Sequence, residues 1–190
     1  MNIYALKVSS EMTEEVYKSL NSDGIARYGW SYIETGNLLS LKEKKWNDLS
    51  TDEKNCWKAN FLLEIQPEDY VVYINVPTYG ECTLAKVKSS YEWRKLSDDF
   101  NHCLQIDKDS LRTFDRNDKA ISSMLQRRFK LQGKYWKIYC VEEFMKLVSD
   151  LQDCILTGEK STVDTRIDLL RSDLNIHFEN ISKEIHKHNA

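Results

Sequence analysis

The amino-acid sequence predicts an α+β domain on a curved sheet of mixed or antiparallel strands, flanked by helices and followed by a helical C-terminal segment. Three observations predict it. Through residue 140, segments with period-two alternation and many β-branched or aromatic residues interleave with a few helical stretches. Their order, β-α-β-α-β-β-β-α-β, holds few of the strand–helix–strand crossovers that parallel sheets require. After Gly158 the pattern changes to apolar residues stepping by three and four.

Residues 2–8, NIYALKV, alternate as a first strand. SSEMTEEVYKSL follows as a short helix whose early acids suit the positive end of the helix dipole. DGIARYGWSYI, residues 23–33, reads as the second strand, with Ile25, Arg27, Gly29, Ser31 and Ile33 on one side. Ala26, Tyr28, Trp30 and Tyr32 share the other side. Ser50 and Glu53 form a capping-box pattern ahead of KNCWKANFLLEI, a helix that Pro67 terminates. DYVVYINV and ECTLAKVKSSYEW are two strands joined by the turn PTYG, and NHCLQI is a shorter strand candidate. NDKAISSMLQRRFKL reads as helix, GKYWKIYC as strand, and the remainder as helix. The expected organisation is a domain over 1–140 and a helical extension over 141–190.

The extension differs in charge as well as in pattern. Residues 1–140 hold 21 Lys+Arg against 20 Asp+Glu, whereas 141–190 hold 6 against 10. Val163, Ile167, Leu170, Leu174, Phe178, Ile181 and Ile185 form a narrow apolar stripe, with Ser161 as its cap. Such a stripe over 162–188 either docks on its own domain or pairs with a second copy as a short coiled coil, making a homodimer.

Composition narrows the function classes. With 41% hydrophobic and 30% charged residues, 2 Pro and 6 Gly, the chain has a core and no low-complexity linker. No apolar run reaches the roughly 20 residues that cross a bilayer, and the N-terminus lacks a signal-peptide pattern. Cys56, Cys82, Cys103, Cys140 and Cys154 are scattered and odd in number, as expected of reduced thiols in a cytoplasm. His102–Cys103 is the one His/Cys neighbour pair and has no second pair at ligand spacing, so no metal is expected. There is no phosphate-cradling Gly-rich loop, no G-x-S-x-G and no H-E-x-x-H. Glu43–Lys45 lies in a polar stretch rather than a strand, unlike a nuclease E-x-K. The chain reads as non-catalytic, with no cofactor.

The run QRRFKLQGKYWK carries Arg127, Arg128, Lys130, Lys134 and Lys137 without an acid, interleaved with Phe129, Tyr135 and Trp136. Cations for phosphates beside flat rings for an exposed base are what a nucleic acid requires. A solvated helix end followed by a core strand would look the same. The strand aromatics Tyr28, Trp30, Tyr32, Tyr73, Tyr79, Tyr91 and Trp93 are similarly open between core and pocket. Five Trp and ten Tyr against six Phe favour aromatics with a polar handle.

GIARYGWS, QPEDYVVY and LAKVKSSYEW, in this order around a helix, resemble the PUA-like superfamily. The similarity is to its EVE/YTH-type readers and to the N-terminal domains of Mrr-type, modification-dependent restriction enzymes. The family's Gly-Asp pair is Glu68-Asp69 here, which keeps the acid and loses the turn glycine. The resemblance implies a small β-barrel-like sheet with an aromatic pocket for a flipped, often methylated, base. The expected function is recognition of a modified or displaced base in DNA within a bacterial defence or restriction system. A separate or fused effector nuclease would act on the signal. The pocket candidates are Trp30, Tyr32, Tyr73, Tyr79 and Trp93, with Ser31 and Asn75 for base edges. Arg27, Arg127, Arg128, Lys130 and Lys134 are the phosphate candidates. The alternative is an oligomerising sensor or adaptor for a small nucleotide or a protein effector.

Overall fold

Seven strands run through the chain: β1 (Ile3–Lys7), β2 (Ile25–Tyr28), β3 (Tyr70–Ile74), β4 (Glu81–Val87), β5 (Glu92–Trp93), β6 (His102–Asp115) and β7 (Tyr135–Lys137). The computed structural model describes residues 1–157. The strands form one mixed sheet in the order β2-β6-β4-β3-β1-β7, with β5 also paired to β6. β1 and β3 are parallel and every other pair is antiparallel. All five residues of β3 are buried, as expected of a central strand covered on both faces.

The sheet curls. Four residues of β6, 108–111, bulge out where Leu84 pairs with Arg112 and Lys86 with Asp107. Bulges of this kind bend a strand and raise its twist. The two ends of the strand order then meet, because the Tyr28 hydroxyl on β2 donates to the carbonyl of Lys134, just before β7, at 2.9 Å. Inside the curl lie Tyr4, Leu6, Ala26, Tyr28, Val71, Tyr73, Ala85, Leu104 and Ile106. Ile3, Ala5, Val72, Ile74 and Leu84, one residue out of step with that set, are buried on the opposite face.

The helices are short. α1 (Thr13–Lys18) carries Glu14 and Glu15 in its first turn and ends in a wider π turn, Ser19–Asp23. Gly24 then takes φ 66°, a left-handed cap that starts β2. α2 (Leu38–Lys42) is capped by Asn37, a helix that the sequence reading did not assign. At α3 (Thr51–Cys56) both halves of the Ser50–Glu53 capping box form, and a 3-10 stretch continues to Glu64. α4 (Ser123–Phe129) is capped by Ser122 and buries Leu125 and Phe129.

Four strand assignments change, with ECTLAKVKSSYEW dividing into β4 and β5. The segment 23–33 is a strand only over Ile25–Tyr28, because Trp30 turns to φ 67°. NHCLQI is the start of a strand of 14 residues, and GKYWKIYC supplies three. The chain divides into two units, Met1–Met145 and Lys146–Ala190. α5 (Val141–Thr157) begins in the first, with Glu142 and Glu143 in its opening turn, and forms the described part of the second. The expected stripe over 162–188 lies outside the described residues. Among the described residues, no helix is long and apolar enough to cross a membrane.

Candidate functional site

Where β2 ends, the chain makes a corner against the first residues of β6. Gly29 permits this, since a Cβ there would meet the Asp99 carboxylate and the Phe100 ring at 3.3 Å. Trp30 follows at φ 67° and Phe100 faces the same region at φ 62°. Left-handed backbone costs a non-glycine residue roughly 1–2 kcal/mol, so the surroundings must hold it.

A buried polar network does so. The backbone N–H and the hydroxyl of Ser31 donate to one Asp99 oxygen at 2.7 and 2.8 Å, and Phe100 N–H donates to the same oxygen at 2.7 Å. Asn101 N–H donates to the Ser31 hydroxyl at 2.6 Å. The Asn101 amide makes four further bonds. It donates to the carbonyls of Ser31 and Ser97 and accepts from the N–H groups of Leu96 and Ser97. Ser31 and Asn101 are fully buried, and every polar atom of the Asn101 side chain is satisfied.

His102, also fully buried, completes the corner. Leu38 N–H donates to the Tyr91 hydroxyl at 3.2 Å. Tyr91 O–H then donates to His102 Nδ1 at 2.9 Å, and His102 Nε2–H donates to the carbonyl of Trp30 at 3.2 Å. The donor order assigns a neutral imidazole protonated at Nε2. Burial pushes its pKa down to about 4, against a partial upward pull from the Trp30 carbonyl and Asp99.

Trp93 pairs with His102 in register, and their rings meet edge to face at 5.4 Å. A Cβ on Gly36 would come within 3.2 Å of the Trp93 ring edge and of the Cys56 sulfur, so Gly36 gives that ring room. Trp30 and Trp93 are both half-buried, and among the described residues neither indole N–H has a hydrogen-bond partner. Burial raises the thiols of Cys56 and Cys103 to about 11, which makes them inert packing groups.

Trp30, through its carbonyl, and Trp93, through its ring, thus both meet His102, with Ser31 next to Trp30 in the chain. The other pocket candidates are elsewhere. Tyr73 is 1% exposed inside the curl, where its hydroxyl donates to the carbonyl of Arg27 at 2.7 Å. It is a core residue, not a pocket wall. Tyr32 is exposed and its hydroxyl donates to Asp52 at 3.1 Å. Asn75 and Tyr79 sit in the β3–β4 hairpin, at the end of β4 away from Trp93. Tyr79 lies beside the Arg116 guanidinium, at 5.0 Å.

Arg27 changes role. It is 6% exposed, and its guanidinium donates to Phe100 O at 2.9 Å, Glu15 at 2.5 Å and the Ser97 hydroxyl at 2.5 Å. With its donors engaged inside the fold, it fixes the 97–100 segment and presents no face to a phosphate. Arg127, Arg128, Lys130 and Lys134 are exposed, and none forms an ion pair among the described residues.

A ladder of rings joins this basic segment to the corner. Trp30 meets Tyr28 edge to face at 5.7 Å, and Tyr28 meets Phe61 at 5.4 Å. Phe61 stacks on Tyr135 at 3.6 Å with 9° between planes. The Tyr28 hydroxyl also holds the Lys134 carbonyl, which accepts from Lys7 N–H at 2.8 Å. Asp99, Asn101, His102, Tyr91 and Phe61 were not among the residues the sequence singled out for the site. The turn-forming composition of SDDFN was the one local signal for the first two. A separate cleft of about 440 Å³ lies along β2 and β6, where Lys88, Arg94 and Lys108 are balanced by Asp23, Asp107 and Asp109. That balance gives it no preference for an anion.

The fold and corner define an α+β half-barrel that presents two tryptophans on a rigid polar scaffold beside a basic segment. No protein-family model and no solved structure matches the chain. A stretch of 99 residues is 31% identical to guanine nucleotide exchange factor subunit RGP1 of Saccharomyces cerevisiae. The match covers 52% of this chain and 14% of that protein.

Proposed function

We propose that residues 1–140 are a PUA-like, EVE-type reader that takes one unpaired or flipped modified base of DNA at Trp30 and Trp93. The phosphates on either side lie along Arg127, Arg128, Lys130 and Lys134. The observation that carries this reading is the ring ladder from Trp30 to Tyr135, with the Tyr28–Lys134 bond that fastens the basic segment to the corner. Stacking and charge are thereby placed side by side, the combination that single-stranded binding uses. Unstacking a base costs a few kcal/mol, so ring contact and phosphate contact must together exceed it. Within a bacterial defence or restriction system the signal would pass to an effector nuclease, with this chain itself non-catalytic.

Fluorescence polarisation with short single-stranded DNA carrying one 5-methylcytosine, one N6-methyladenine or neither tests the reading. Wild-type chain binds one modified strand more tightly than its unmodified counterpart, and affinity falls steeply with added salt. Trp30→Ala removes the preference while its circular dichroism stays that of the wild type. Equal binding of all strands by wild-type chain, or an unfolded Trp30→Ala, would refute the pocket.

The RGP1 stretch favours a second reading, an adaptor subunit of a larger assembly that holds a small nucleotide or a protein effector. That reading expects ligand binding with little salt dependence, so the same titration separates the two.

A further inference from the structure

We propose that Tyr135 is a second base-stacking position, taking another nucleobase of the strand held at Trp30 and Trp93. The inference rests on the reader assignment and adds a contact that the corner does not supply. Tyr135 is 40% exposed although one face of its ring is covered by Phe61 at 3.6 Å. Its exposure therefore falls on the opposite face and the ring edge. Phe61 is itself 4% exposed and packed in the inner core, so the tyrosine ring rests on a fixed backing.

The backbone is fixed too. Lys134 O accepts from Tyr28 Oη and from Lys7 N–H, and Leu6 pairs with Tyr135 in the ladder. A ring already immobilised loses little entropy when a base stacks on it. Exposed Lys134 precedes Tyr135 directly, and exposed Lys130 lies four residues earlier, in position for the phosphates flanking that base. Phe61 and Tyr28 separate Tyr135 from Trp30, so the two platforms are distinct and take different nucleotides of one strand.

The test uses the full chain and fluorescein-labelled oligothymidylate with one central 5-methylcytosine or N6-methyladenine, read by polarisation. Tyr135→Leu keeps an apolar contact with Phe61 and lacks a π-face. It weakens binding of every strand by the same factor, roughly 5- to 100-fold, and leaves any preference for the modified base unchanged. Tyr135→Phe binds as the wild type, and Tyr135→Trp binds at least as tightly. Wild-type affinity in Tyr135→Leu, or a loss in Tyr135→Trp with an unchanged thermal midpoint, overturns the inference while leaving the reader assignment standing. Failure of the wild-type chain to bind any of these strands overturns both. If Tyr135→Leu loses its fold, the Phe and Trp variants decide the matter, since both keep the stacked ring.

Discussion

The two ends of β6 treat the same problem differently. At one end Trp93 faces His102, and at the other Glu81 faces Asp115. Each end holds left-handed backbone at a non-glycine residue beside an accessible aromatic ring. At the corner those residues are Trp30 and Phe100, and Glu68, at φ 75°, donates through its N–H to Val87 at the end of β4 nearer that corner. At the hairpin the residue is Asn75, a type that tolerates this conformation and whose side chain accepts from Gly80 N–H at 3.2 Å. Tyr79, 84% exposed, has only the Arg116 guanidinium beside it. The corner therefore keeps disfavoured conformations under bulky rings by means of a saturated polar network, and the hairpin needs none. An exposed aromatic alone does not mark a site. Strain held in place around one is the stronger pointer.

The largest expected effect comes from breaking the network. Asn101→Ala removes four buried or partly buried hydrogen bonds and leaves two N–H groups and two carbonyls without their partner, a loss of about 4 kcal/mol. Tyr79→Ala removes one exposed cation–π contact and costs less than about 1 kcal/mol. Urea unfolding of both variants measures the difference. Equal shifts of the two midpoints would mean that the corner is no more constrained than the hairpin.

The contrast between the ends also explains what the sequence could and could not reveal. Trp30, Ser31 and Trp93 stood out in the sequence as strand aromatics and a hydroxyl, but the end of β2 at Tyr28, which puts the first two in a corner, was hidden. The exposure of Arg127 and Arg128 was legible because an acid-free run closes a short amphipathic helix. Arg27 was not. Period-two alternation places it on an outward face, but residues 97–100, some 70 positions away, cover that face. Tyr73 fails for a related reason, since its hydroxyl finds its acceptor on β2 across the curl and not in a ligand. The length of β6 was hidden by its bulge at 108–111, which breaks alternation inside a polar stretch. His102, weighed as a metal ligand because of Cys103, serves as a connector between Tyr91 and the Trp30 carbonyl. No local pattern distinguishes those roles.

A second effect follows from that histidine. Its folded pKa is pushed down to about 4, against an ordinary value near 6.5 in the unfolded chain. Between those two pH values the unfolded chain binds a proton that the folded chain refuses. Stability is therefore full above about pH 6.5 and falls as pH drops toward 4, by about 3 kcal/mol in all. Protonation would place a second donor against the Tyr91 hydroxyl, which already accepts from Leu38, leaving the hydroxyl proton without its acceptor. Glu53 at the capping box, held down to about 2 chiefly by Lys44, contributes in a lower window that begins near pH 4.5. The two are separable by thermal midpoints measured from neutral pH to pH 4. His102→Phe should flatten the upper part of that curve even though it lowers the starting stability. An unchanged slope in the variant would remove His102 from the corner's account.

The smallest effect has the most informative sign. Glu68 holds φ 75°, a left-handed conformation that favours glycine. Glu68→Gly relieves about 1–2 kcal/mol of left-handed strain. Against this, glycine adds unfolded-chain entropy worth roughly 0.5–1 kcal/mol. The ion pair to Lys86, 2.5 Å long between exposed groups, contributes at most about 1 kcal/mol. Asp69, whose carboxylate accepts from Asn2 N–H and Gln66 N–H, continues to hold the turn in the variant. With the ion pair screened at high salt, the balance is a gain of up to about 1.5 kcal/mol; at low salt the pair offsets much of it. Asn75→Gly goes the other way. Asparagine has little strain to relieve, and the bond to Gly80 N–H is lost, so the hairpin variant is destabilised by about 1 kcal/mol. Urea midpoints of the two variants in high salt should therefore move in opposite directions. If both fall, Glu68 is not strained and the left-handed residues at the corner end lose their special standing. If both rise, the hairpin carries strain of the same kind and the contrast between the two ends disappears.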